Sequence, residues 1–111
     1  GKAANIYQAP AAIVVCANKT KAWKRPFDGK ITTDIDASIL TDHMMLEATE
    51  LGLGSVWICY FNPDILKEEL NLPENLEPVN ILALGYSDEL DASAERHKDM
   101  RIGMDELVSY L

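Results

Sequence analysis

The sequence is poor in the residue types that build covalent or metal-bound scaffolds. Among 111 residues there are two cysteines, Cys16 and Cys59, and two histidines, His43 and His97. Two cysteines are too few for a disulfide framework. Both stand in apolar runs where a free thiol behaves as a small hydrophobe, so a reducing cytoplasm is the expected setting. The histidines lack the spacing of a metal-binding pair, and His43 falls on the polar edge of a helical pattern, so no metal site is read. No apolar run approaches the roughly 20 residues that cross a bilayer, which excludes a helical membrane span. Basic residues are scarce as well: 10 Lys and Arg against 18 Asp and Glu leave a net charge of −8. Such a chain lacks the broad basic face that grips a nucleic-acid backbone. No Ser or Cys sits on a nucleophile elbow, and there are no internal repeats or low-complexity tracts. The opening GKAANIYQAP has no signal-peptide core and begins with Gly1, so it reads as a processed, tagged or truncated end.

What the chain does have is a long patterned unit, DASILTDHMMLEATELGLGSVWICYF, from Asp36 to Phe61. At 3.6 residues per turn, Ala37, Leu40, Met44, Ala48 and Leu51 recur at spacings of three and four, which predicts an amphipathic helix. Ile35, Ile39, Leu46 and Leu53 fall on roughly the opposite side, so the helix has two faces to bury. One can rest on a sheet of its own domain. The second calls for another layer or a partner chain, because each wet Leu, Ile or Met forgoes about 1.5–3 kcal/mol. A homodimer is therefore expected. Asp34 or Asp36 is expected to cap the helix, and Gly52 and Gly54 to end it with φ > 0. VWICYF then reads as a buried strand.

Upstream, AAIVVCA from Ala11 to Ala17 is a strand-length apolar run between Pro10 and Asn18. From Asn18 to Asp34 the chain turns polar around Pro26 and the Asp28-Gly29 turn signal, which predicts a long loop. Trp23 and Phe27 alternate there with Lys19, Lys21, Lys24, Arg25 and Lys30; the aromatics either tack the loop to the core or stack on a ligand. Downstream, Asn62 and Pro63 open a short helix, PDILKEEL, with Leu66 and Leu70 on one face. Pro73 and Pro78 bar its continuation, and VNILALG from Val79 reads as a third buried strand. The strand-helix-strand order by itself favours right-handed parallel crossovers. Beyond Tyr86 come an acidic, unpatterned segment, a basic cluster at Arg96, Lys98 and Arg101, and MDELVSYL, a brief helix or an extended tail. Two local basic patches on an acidic chain suit a small anionic ligand such as a phosphorylated cofactor, or are ordinary solvated loops. GLGS at Gly52–Ser55 closes a helix and precedes a strand, the reverse of a dinucleotide-binding fingerprint.

Taken in order, QAPAAIVVCA, an aromatic and basic loop ending in DGK, the Asp36–Phe61 unit and PDILKEELNLPENLEPVNILALGY resemble the C-terminal part of the FMN-dependent nitroreductase family over nearly the whole chain. The most specific pieces are MMLEATELGLGSVW and the pairing of LP with PVNILALGY. The resemblance implies an α+β fold, a three-layer α/β/α sandwich with a largely antiparallel sheet, of which residues 1–111 form the C-terminal portion. It implies an intimate homodimer with FMN at the subunit interface, oxidising NAD(P)H and reducing a nitroaromatic, quinone or similar small acceptor. Family members carry an N-terminal Arg-Arg-Ser-like flavin-binding segment that this sequence does not match. By the same resemblance, Trp57, Ile58, Cys59 and Tyr60 lie beside the flavin ring. Arg96, ahead of its neighbours Lys98 and Arg101, approaches the FMN phosphate. The flavin does the chemistry, so no side chain is required as a catalytic acid or base. The rival readings are a non-catalytic flavin-binding or regulatory module, an inert fragment, and plain strand core for Trp57–Tyr60.

Overall fold

The apolar run VNILALG becomes the middle of a sheet. A computed structural model of the chain describes residues 8–88 and 90–111. In chain order it contains β1 (Ala11–Asn18), α1 (Thr33–Glu50), β2 (Gly54–Ile58), α2 (Pro63–Glu69), β3 (Leu76–Gly85), α3 (Arg96–Met100) and α4 (Met104–Leu107). The sheet order is β1-β3-β2 and both pairings are antiparallel. This is an α+β arrangement. The parallel neighbours that spacing alone suggests are not formed. β1 and β2 do run in the same direction, but β3 inserts between them and pairs with each.

With a neighbour on each edge, β3 is buried on both faces, and Ile81, Leu82 and Ala83 are 4%, 0% and 2% exposed. Its ladder with β1 slips one residue between Val15↔Asn80 and Cys16↔Pro78, leaving Val79 as the extra residue of a bulge. Pro78 has no N–H to donate, so it is tolerated in a central strand only beside such an irregularity.

Helix α1 lies against all three strands. The side it buries is lined by small residues: Ala37, Thr41 and Ala48 are buried, with Met44 partly so. Leu40 and Leu51, expected on that stripe, are exposed, because the close approach permitted by Ala and Thr leaves larger side chains at the flanks. Ile35, Ile39 and Leu46, the second apolar face, are 52%, 53% and 63% exposed. Neither Asp34 nor Asp36 caps the helix; both fall in its first turn, and the N-cap position is Thr32, which makes no side-chain cap bond. Gly52 does end the helix with φ +77°, whereas Gly54 is ordinary strand.

One buried polar contact ties helix to sheet. The Thr41 hydroxyl donates to the Ala37 carbonyl (2.8 Å) and accepts from Asn80 Nδ2 (3.0 Å). Helix α2 starts as its sequence dictates, with Asn62 Oδ1 accepting from the N–H groups of Asp64 (3.0 Å) and Ile65 (3.3 Å). It packs on β3 through buried Leu66 and a Lys67–Glu77 ion pair of 3.3 Å.

Candidate functional site

The end of β2 separates the four expected ring-facing residues. Trp57 pairs with Leu82 and Ile58 with Ile81, so the strand's two-residue period sends them to opposite faces, each half-buried. The run VWICYF does not continue as strand to Phe61. The ladder stops at Ile58↔Ile81, just short of the Val79 bulge that bends β3. Cys59 and Tyr60 are therefore exposed rather than core. A Phe61 N–H to Cys59 carbonyl bond (3.1 Å) folds the chain into a three-residue turn that delivers Asn62 to its capping position. The result is a short rim with an apolar wall, a fully exposed phenol and a free thiol.

The expected phosphate cations lie on and beside α3. β3 leaves the sheet at Gly85, next to Gly54, which is the end of β2 remote from Ile58. Arg96 turns Nη1 back onto the carbonyls of Ala92 (3.1 Å) and Ser93 (2.8 Å). Lys98 is paired with Glu95. Arg101, at the C-cap of α3, is exposed, and its side chain has no hydrogen-bond or ion-pair partner among the described residues. His97 between them has its pKa lowered, first by desolvation and then by the charges of Arg101 and Arg96. Burial, then the Glu77 carboxylate, raises the Cys16 thiol pKa, which argues against a nucleophilic thiolate there.

Among the described residues, two of the clefts have a volume of about 270 Å³, and neither is lined by any of these seven residues. One lies where β1 and β2 begin and β3 ends, among Pro10, Gly54, Val56, Gly85 and Asp88. The other lies between the end of β1 and the start of α1, among Cys16, Asn18, Lys21, Ala22, Asp36 and Leu40. Above it, the segment expected as an open loop is braced as a small hairpin. Lys24 bridges Ile31, the Arg25 N–H donates to the Lys30 carbonyl (2.9 Å), and the Arg25 guanidinium grips Asp28. The Asp28-Gly29 pair signalled the turn; Arg25 three residues before Asp28 signalled its brace. Among the described residues no three His, Cys, Asp or Glu converge as metal ligands, and no helix is long and apolar enough to cross a membrane.

Comparison with known proteins bears on this geometry. A model of the nitroreductase family matches residues 1–86. A protein from Archaeoglobus fulgidus, whose name proposes an NADH dehydrogenase/NAD(P)H nitroreductase, is 40% identical over 88 residues, covering 75% of this chain and 48% of its own. The crystal structure of a nitroreductase family protein from Clostridium difficile 630 superposes with a TM-score of 0.89 at 64% identity, over 96% of this chain and 62% of that one. An FMN-dependent nitroreductase from Clostridium difficile R20291 superposes with a TM-score of 0.64 at 32% identity, over 85% of this chain and 57% of that one. The chain thus spans about half the length of the curated relative and under two thirds of either solved one.

Proposed function

We propose, since the chain belongs to the nitroreductase family, that it serves an FMN-dependent oxidoreductase carrying electrons from NAD(P)H to a nitroaromatic, quinone or similar small acceptor. The family match over residues 1–86 carries the reading, and the FMN-dependent relative supports the choice of flavin. When bound, FMN supplies the hydride and electron chemistry. The residues present fit it. Trp57 and Ile58 offer half-buried apolar surface at the end of β2, and Cys59 and Tyr60 stand exposed beside them. For the phosphate, Arg101 leads, because its guanidinium is uncommitted and can form two parallel charge-assisted bonds. Arg96 shares its Nη1 with two carbonyls and Lys98 is already paired, so both take supporting places. With both thiols free, the reading places the protein in a reducing cytoplasm.

A homodimer completes the proposal. The accessible surface, 9260 Å², exceeds the about 6,100 Å² expected of a folded monomer of this mass. The radius of gyration, 17.3 Å, exceeds the expected value of about 13 Å. The surplus of about 3,000 Å² is surface left for contacts beyond these residues, and an obligate interface is on that scale. Exposed apolar side chains suited to such a contact include Ile35, Ile39 and Leu46 on α1, and Met100, Ile102, Met104 and Leu107 on and around α3 and α4, which bury no residue.

The test is the visible spectrum of the purified protein after FMN is added and the excess removed, followed by anaerobic NADH or NADPH. Retained flavin that bleaches supports the reading. Protein that takes up no flavin even with the family's Arg-Arg-Ser-like segment supplied as a separate chain refutes it, and flavin that is held but not reduced leaves a binding module.

A further inference from the structure

The hairpin between β1 and α1 carries five basic residues, Lys19, Lys21, Lys24, Arg25 and Lys30, against the single acid Asp28, on a chain of net charge −8. Asp28 is committed to Arg25, so the four lysines have no ion-pair partner among the described residues. The tip is braced by its own bonds. Besides the Arg25–Asp28 grip, the Lys30 N–H donates to Asp28 Oδ1 (3.1 Å) and the Gly29 N–H to the Arg25 carbonyl (2.8 Å). The Lys24 stem lies over Gly29, its Cδ 3.9 Å from where a Cβ would stand. Phe27, at the tip, is 96% exposed. At the root lies the second cleft, about 270 Å³, lined by the apolar Ala22 and Leu40, by Cys16, and by the polar Asn18, Lys21 and Asp36.

Unpaired like charges on one braced turn repel one another, and binding an anion lowers their mutual energy. The cleft is smaller than the about 300–1,000 Å³ of a site that encloses a whole drug-sized ligand, so it suits one ring system with the remainder lying outside. Its single carboxylate, Asp36, can accept from an amino or hydroxyl group and turns a phosphate away toward the lysines. We infer that this cleft and hairpin hold the phosphorylated adenosine end of NADPH, so that the protein discriminates NADPH from NADH; the inference rests on the NAD(P)H reading above. The adenine occupies the cleft, and the 2′-phosphate, which carries up to two negative charges, sits among Lys21, Lys24 and Lys30.

The experiment needs no flavin. Adenosine 2′,5′-bisphosphate and adenosine 5′-monophosphate are titrated into the full chain by calorimetry, at low and at high salt. The bisphosphate should bind about tenfold or more tightly over the monophosphate, with the gap narrowing as salt screens the lysines. The double variant Lys24→Ala/Lys30→Ala should erase the gap, with α-helical circular dichroism and FMN uptake unchanged. Equal affinity for the two nucleotides, no binding of either, or a gap that survives the double variant would overturn the site. So would lysine-dependent binding of polyglutamate in place of the nucleotides, since that marks a surface for acidic proteins. If the nucleotide gap holds while the protein takes up no FMN, the site stands and the oxidoreductase reading falls. If FMN is held and reduced equally well by NADH and NADPH with no gap, the reverse follows.

Discussion

Replacing Thr41 with Val tests how the buried polar link between α1 and the sheet is balanced. The change keeps the side-chain shape and removes the hydroxyl at a position 0% exposed. Two bonds are lost. The Ala37 carbonyl keeps its helical partner, so its 2.8 Å bond from the hydroxyl was a surplus one and its loss is cheap. Asn80, 1% exposed, fares worse, because Nδ2 loses the acceptor at 3.0 Å and stays buried without a replacement. An unsatisfied buried donor costs about 1–3 kcal/mol. With an unfolding entropy of about 2.1 cal/mol/K per residue, that corresponds to a fall in Tm of about 4–13 °C for a chain of this length. Urea unfolding followed by tryptophan fluorescence, at fixed protein concentration, should show a lower midpoint and an unchanged slope. Adding Asn80→Leu removes the stranded donor, so the double variant should lose at least about 1 kcal/mol less than the two single losses combined. A midpoint equal to the parent's in Thr41→Val, or strict additivity of the pair, would show that the bond is an incidental contact.

Four further outcomes are expected. Gly85→Ala places a methyl 2.9 Å from Pro10 Cδ, where a ring cannot swing aside, and should cost about 1–3 kcal/mol in the same urea assay; Gly54→Ala meets Ser87 Cβ at 3.4 Å and should stay within about 0.5 kcal/mol, so equal losses would refute the steric account. Hydrogen bonds from Arg25 and then from the Lys30 N–H hold the Asp28 carboxyl below its usual 3.8. A carboxylate depressed by folding supports the hairpin fully above its unfolded pKa and is lost as pH falls through the lower folded one, so Gly29 and Lys30 amide signals should hold at pH 3.8 and shift only below it, while in Arg25→Ala the midpoint rises. Ile39→Glu or Leu46→Glu should convert a dimer to a monomer in sedimentation, and a monomeric parent at micromolar concentration would sink the dimer. Arg101→Ala should weaken FMN about 10- to 150-fold, and Arg96→Ala less; the reverse ranking by flavin titration would return Arg96 to first place.

The elements with dense local signals were legible in the sequence. The Asn62-Pro63 start of α2 and the Gly52 stop of α1 depend on neighbours in the chain, and both stand where their chemistry puts them. The order β1-β3-β2 was not legible from spacing, because which strand lies beside which is decided by contacts far apart in sequence; the family resemblance supplied the antiparallel sheet. Thr41 and Asn80 escaped for a related reason. A polar residue in an apolar pattern reads as solvent-facing, yet two of them 39 positions apart satisfy each other at the centre of the core.

The end of β2 shows where a one-dimensional reading stops. VWICYF is continuous in composition, and nothing within it marks Ile58 as the last paired residue. The stop is imposed from β3, whose bulge at Val79 belongs to its ladder with β1 on the opposite edge. A register slip on one side of a central strand thus decides which side chains the other side releases to solvent, and here it releases Cys59 and Tyr60. The two groups proposed for the flavin then leave the sheet at opposite ends of β2, and neither of the two clefts described above joins them. A cofactor that needs both an apolar wall and a phosphate clamp is not enclosed by the described residues alone. The same conclusion comes from α1, whose Ile39 and Leu46 face solvent although the helix is already seated on its sheet. Uncovered apolar surface and an unenclosed site are then two signs of one missing contact, the contact that the proposed homodimer would supply.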